Sequence, residues 1–123
     1  MITFDTGALI ALERRSAGML RIVDAATQSN ARITVPAVVL AEWWRGRATA
    51  RMTRLIEGVE IEPLNDRLAK LAGEAIAAVR GATTVDAIVA ASAAQRGDTI
   101  FTSDVEDLVL LGAFFRSLRV LHV

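Results

Sequence analysis

Short β-prone runs alternate with segments of helical period along this whole chain, and no other sequence feature restricts its fold as much. Ile2–Phe4, Arg32–Val35, Val59–Glu62, Thr99–Thr102 and Arg119–Val123 read as strands. Between them, Ala8–Arg14, Met19–Thr27 and Pro36–Leu55 carry apolar residues at helical spacing. So do a segment capped by Asn65 or Asp66 that runs through Arg80, and Val85–Arg96 behind Thr83 or Thr84; Asp107–Phe115 reads as helical or irregular. Thr6 is the candidate cap of the first helix, and Pro36 stands where a first helical residue lacks no needed N–H. The long third helix is expected to bury Leu40, Trp44, Ala48 and Met52. Strands separated by helices pair in parallel, with both sheet faces covered. With no repeat, low-complexity tract or linker, the expectation is a single α/β domain over residues 1–123, with a mainly parallel central sheet and helices on both faces.

Composition narrows the chemistry. There is no cysteine, which removes disulfides, thiol nucleophiles and Cys-ligated zinc, and His122 is the only histidine. Any acid–base or metal chemistry therefore falls to carboxylates. Fourteen basic and 14 acidic side chains give zero net charge, so no global field draws the chain to nucleic acid or an anionic surface. The apolar runs Gly7–Leu12 and Leu108–Phe115 are far below the roughly 20 residues that cross a bilayer. A cytoplasmic protein with no membrane partner is expected.

The acids that matter are those at the carboxyl ends of strands, where open α/β sheets bind ligands. Asp5 directly follows the first strand and Asp104 closely follows Thr99–Thr102. Asp86 lies in the first turn of its helix, and Glu42 interrupts the apolar segment Val35–Trp44. Taken singly, Asp5 and Asp86 can serve a helix N-terminus and Asp104 a turn; Glu42 lacks such a role. Asp24, Asp66 and Asp98 read as ordinary turn or cap acids. Brought to one edge, like-charged carboxylates at ~5 Å repel by about 3 kcal/mol per pair at an effective dielectric of 20. A cation or bound protons must offset that. Oxygen-only donors select hard ions such as Mg²⁺ or Mn²⁺, which support phosphodiester hydrolysis.

These residues also carry a resemblance. Ile2-Thr3-Phe4-Asp5-Thr6-Gly7-Ala8-Leu9, Val35–Glu42, Val85–Ala93 and Ile100–Leu108 resemble, in order, the four blocks of the PIN-domain nucleases, and most closely the VapC toxins of bacterial toxin–antitoxin pairs. The similarity covers essentially the whole chain. It implies a metal-dependent ribonuclease with Asp5, Glu42, Asp86 and Asp104 as the catalytic, metal-holding quartet and one or two Mg²⁺ or Mn²⁺ ions. Water would be the nucleophile, leaving a 5′-phosphate and a 3′-hydroxyl. It further implies supporting roles for Thr6, Ser103 and Asp107, a homodimer, and a small VapB-like antitoxin that blocks the site. Gly7 departs from the pattern, which more often has Ser, Thr or Asn there.

Arg45, Arg47, Arg51 and Arg54 follow Glu42, and the last three share a helix face at i, i+4, i+7 spacing, a possible track for an RNA backbone or a solvated surface. Adjacent Trp43 and Trp44 cannot share one inward stripe, so one is expected to face the core and the other a partner, unless a broad buried face takes both. His122, far along the chain from the acids, is expected to be structural. Two other functions are open to the sequence. One is a non-catalytic binding protein on the same scaffold. The other is a retroviral-type aspartic protease, since Asp5-Thr6-Gly7 spells that motif; the helical segments and the missing hydrophobic-Ile-Gly-Arg block argue against it.

Overall fold

A computed structural model describes residues 1–46 and 49–123. Strands β1 (Ile2–Phe4), β2 (Ile33–Pro36), β3 (Glu60–Glu62), β4 (Thr99–Thr102) and β5 (Arg119–His122) form one sheet in the order β3-β2-β1-β4-β5. Every pairing is parallel, with Thr3 level with Thr34 and Ile100, and Phe4 with Phe101. Among the described residues seven α-helices connect the strands: α1 (Thr6–Glu13), α2 (Ala17–Gln28), α3 (Ala37–Trp44), α4 (Ala50–Glu57), α5 (Asp66–Ala78), α6 (Thr84–Arg96) and α7 (Val105–Val109). A 3-10 turn over Leu110–Ala113 follows α7. The expected parallel α/β architecture is present, and it excludes the all-β protease alternative. No described helix is long and apolar enough to cross a membrane.

Burial grades outward from the centre. All four residues of β2 are buried, whereas β5 at the far edge is mostly exposed. Helix α6 packs on β1, β2 and β4 and is sandwiched against α5. Its residues Ala87 to Ala93 are all buried, which suits a run of small side chains that lets helix, sheet and α5 approach closely. Gly97 ends α6 in the left-handed region at φ 72°, accepting a geometry that costs other residues about 1 kcal/mol. A Cβ there would meet nothing within 4 Å, so Gly97→Ala should lower unfolding stability by about that backbone cost in urea titration, without other damage.

Several local expectations are corrected. Asp5, not Thr6, caps α1, its Oδ1 accepting from Ala8 N at 2.9 Å. Pro36 ends β2 with extended ψ 142° and stands just outside α3. The single helix expected over Pro36–Leu55 is two. Arg45 (φ 45°) and Gly46 (φ 69°) adopt left-handed backbone and stop α3, and α4 begins afresh behind the Thr49 cap. The inward residues are Val39, Trp43 and Met52, while Leu40 and Trp44 are only half-buried; Ala48 lies outside the described residues.

Asp98 is also more than a turn acid. It is 3% exposed, and its Oδ2 accepts from Thr3 Oγ1 at 2.9 Å and from Arg96 Nε at 3.0 Å. The Arg96 guanidinium continues to Thr3 and Ser92 (both 2.9 Å) and pairs with Glu62, tying the end of α6 to β1 and β3. This polar knot fixes the helix whose other end carries Asp86.

Candidate active site

The chain direction across the sheet reverses between β1 and β4, since β2 and β3 lie to one side and β5 to the other. Loops leaving adjacent strands at such a switch point diverge and open a crevice at their carboxyl ends. Here that crevice is a cavity of about 210 Å³ lined by Asp5, Thr6, Gly7, Glu42, Val85, Asp86, Val89, Ser103 and Asp104. All four acids singled out from the sequence line it. Asp5 arrives from the end of β1, Asp104 from the end of β4, Asp86 from the first turn of α6, and Glu42 from the middle of α3.

Each acid is held differently. Asp5 is nearly buried: Oδ1 caps α1 and Oδ2 accepts a hydrogen bond from the Thr102 hydroxyl. Burial is the main influence raising its carboxyl above the ordinary aspartate range, with the charges of Asp86 and Glu42 adding; the bonds from Thr102 and Ala8 oppose it. Asp86 is likewise raised, first by burial and then by the charges of Asp107 and Glu42. Asp104 is raised chiefly by a hydrogen bond with the Asp107 carboxyl, then by desolvation and by the charges of Asp107, Asp86 and Asp5. Glu42 accepts a hydrogen bond from Thr6 Oγ1. The acids thus oppose one another's ionisation, as a site short of positive charge must.

Oxygen-only donors of this kind suit a hard divalent cation. Among the described residues no three acids are gathered tightly enough to form a ready-made metal group, so the set lines a common cavity without converging on one point. Repulsion between ionised carboxylates favours that open arrangement. The donor chemistry fits a cation that draws the side chains inward.

Thr102 escaped the sequence reading, where it only ended a strand. Register puts it beside Asp5, because Phe4 pairs with Phe101 one step earlier. Its hydroxyl donates to Asp5 and accepts from Asp104 N at 2.8 Å, coupling two of the acids. The available signal was the spacing Thr102-x-Asp104 at a strand end. Thr102→Val keeps the shape but strips both bonds. It should cost about 1–3 kcal/mol of stability in urea unfolding and raise the Asp5 carboxyl further.

The remaining predicted residues divide. Thr6 and Ser103 line the cavity; Asp107 stands outside its wall against Asp104. Of the four arginines, Arg45 ends α3, and Arg51 and Arg54 lie on α4. Arg45 stays exposed one turn from Glu42, its Nε donating to the Glu42 carbonyl at 2.8 Å. Arg51 turns inward, Nη2 donating to the Leu12 carbonyl at 3.2 Å, and so ties α4 to α1. Arg54 borders a separate, mainly apolar cavity with Phe4, Leu12 and Leu55, and Arg47 lies outside the described residues. Trp43 is buried and donates Nε1–H to Glu13 at 2.9 Å, leaving Trp44 as the half-exposed member of the pair. His122 is exposed on β5, level with Thr102 and outside the cavity lining.

No curated protein matches the chain in sequence. Solved structures match its fold at low identity. VapBC2 from Rickettsia felis, bound to a DNA fragment from their promoter, aligns with TM-score 0.78 and 16% identity over 100% of this chain and 99% of that one. A toxin–antitoxin complex from Klebsiella pneumoniae aligns with TM-score 0.75 and 16% identity, covering 96% and 95%. DNA-bound VapBC from Salmonella typhimurium gives TM-score 0.72 and 16% identity, covering 98% and 96%. The family model of the PIN domain matches residues 2–108, a span that contains all four acids of the cavity, and this chain belongs to the PIN domain family.

Proposed function

We propose that this protein is a divalent-metal-dependent endoribonuclease and the toxin of a toxin–antitoxin pair. The observation that carries the reading is the meeting of Asp5, Glu42, Asp86 and Asp104 in one cavity at the sheet's switch point. Family membership and the toxin–antitoxin complexes among the structural neighbours support it.

Asp5, Glu42, Asp86 and Asp104 would hold Mg²⁺ or Mn²⁺. When bound, such an ion neutralises charge at the scissile phosphate and lowers the pKa of attacking water. The chain's own groups prepare the rest. Thr102 and the Ala8 amide fix the two oxygens of Asp5, and Thr6 fixes Glu42. Val85 and Val89 line the same cavity beside the carboxylates. One of these four carboxylates would also take the proton released by the attacking water. Arg45, exposed beside Glu42, would meet an RNA phosphate, while Arg51 bonds the Leu12 carbonyl.

The substrate half of the proposal is tested by offering single-stranded RNA and DNA of one sequence with Mn²⁺. RNA fragments bearing 5′-phosphate ends, with DNA left intact, are expected. Equal cleavage of both would overturn the assignment to RNA.

A groove on the helix that carries Glu42 would suit the antitoxin. Ala37, Leu40, Ala41, Trp44 and Ile56 line an almost wholly apolar groove of about 320 Å³ between α3 and α4, and α3 also carries Glu42. An antitoxin seated there would act on the cavity through a shared helix. Trp44 is the natural anchor, so Trp44→Ala should leave the fold intact and weaken the toxin–antitoxin complex by roughly 2 kcal/mol, about 30-fold in Kd by calorimetry. The homodimer expected from the resemblance is read by light scattering of the isolated chain.

A further inference from the structure

Gly7 sits in the first turn of α1 on ordinary helical backbone, so nothing in its conformation calls for glycine. Glycine there costs helix stability, up to about 1 kcal/mol relative to alanine. The reason is space. A Cβ at position 7 would lie 2.1 Å from Ser103 Oγ, 3.1 Å from Ser103 N and 3.2 Å from Ser103 Cβ. The Ser103 hydroxyl occupies the place where a side chain on residue 7 would begin. Both residues line the acid cavity together with Asp5 and Asp104. Ser103 lines the cavity and is exposed, so its hydroxyl, a donor and an acceptor, is open to a molecule that enters there.

We propose that Ser103 is a positioning residue for the attacking water, and that Gly7 is glycine to admit its hydroxyl. This rests on the reading of the cavity as a nuclease site. It adds a specific coupling to that reading: residues 7 and 103 share one volume, which a single side chain can fill from either wall. A hydroxyl offered from α1 should therefore substitute for one offered from the end of β4, provided the other is withdrawn.

The test is a double-mutant cycle with Gly7→Ser, Ser103→Gly and the combination, with Ser103→Ala and Ser103→Thr alongside. Ser103 is exposed, so its variants should melt close to the wild type. Ser103→Ala and Ser103→Gly should lower kcat by about 10–100-fold with KM little changed, and Ser103→Thr should retain activity. Gly7→Ser alone should lose as much by expelling the Ser103 hydroxyl. The combined variant should recover at least about tenfold over either single change. The same cycle is followed in Mn²⁺ affinity by titration, where a water held by the hydroxyl should again make the two positions non-additive. Additive losses in both readouts, or full activity in Ser103→Ala, would overturn the proposal. If the wild type cleaves nothing, the nuclease reading fails and this proposal with it, whereas additive losses in a wild type that cleaves overturn this proposal alone.

Discussion

Replacing Asp5 with Asn should abolish cleavage, by more than about 100-fold in kcat, and at the same time leave the metal-free protein at least as stable as the wild type at neutral pH. The two effects share one cause. Asp5 is nearly buried and faces Asp86 and Glu42, so its ionised form is the unfavourable one in the folded chain. Asparagine keeps an oxygen to cap α1 and carries no charge. The pH dependence has a defined sign. A carboxyl whose folded pKa lies above its unfolded value binds the proton more tightly when folded, so its penalty is present above the folded pKa. That penalty is relieved as pH falls through the folded value toward 3.8. The stability advantage of Asp5→Asn over wild type should therefore shrink on acidification from neutral pH, and shrink also when Mn²⁺ is added to the wild type at pH 7. Calorimetric melting of the two proteins with and without Mn²⁺ checks both statements. A variant that simply unfolds, or an advantage that grows on acidification, would contradict the electrostatic description of the cavity.

Arg96→Met should produce the largest loss of stability, about 3 kcal/mol or more. Arg96 joins Glu62, Asp98, Thr3 and Ser92, and Asp98 is buried at 3% exposure. Methionine preserves most of the packed stem but abandons a buried carboxylate. The Met1 ammonium, 3.6 Å from Asp98 Oδ1, is exposed and replaces little of the lost pairing. Urea unfolding at pH 7 gives the magnitude. Because the knot anchors α6, residual folded Arg96→Met should also cleave more slowly through a less firmly placed Asp86, whereas a stability within about 0.5 kcal/mol of wild type would show the network to be a solvated surface cluster.

The acids were legible in the sequence for reasons that differ by residue. Asp5 and Asp104 follow strands, and alternation of strand and helix determines that such residues share an edge. Glu42 stood out because its neighbours Val38 to Trp44 are otherwise apolar. Three-dimensional pairing supplied what periodicity could not. The break after Trp44 rests on left-handed backbone at Arg45, a residue that signals no helix stop, and it separates Arg45 at the end of α3 from Arg51 and Arg54 on α4. Trp43 faces inward one turn after Val39, while Trp44 shares the half-buried face of Leu40. Thr102, Asp98 and Gly7 act through partners 97, 95 and 96 positions away, distances at which no local pattern speaks.

One measurement bears most directly on the acid cavity as a metal-dependent nuclease centre: cleavage of total cellular RNA by the wild type and by Asp86→Asn, each with Mn²⁺ and with EDTA. Asp86 is chosen because it lies in the first turn of α6 rather than in the buried core, so its amide variant should fold. Discrete fragments from the wild type in Mn²⁺ alone, and none from the variant, are the expected result. A folded wild type that leaves the RNA intact in Mn²⁺, or cleavage by Asp86→Asn equal to that of the wild type, would contradict it.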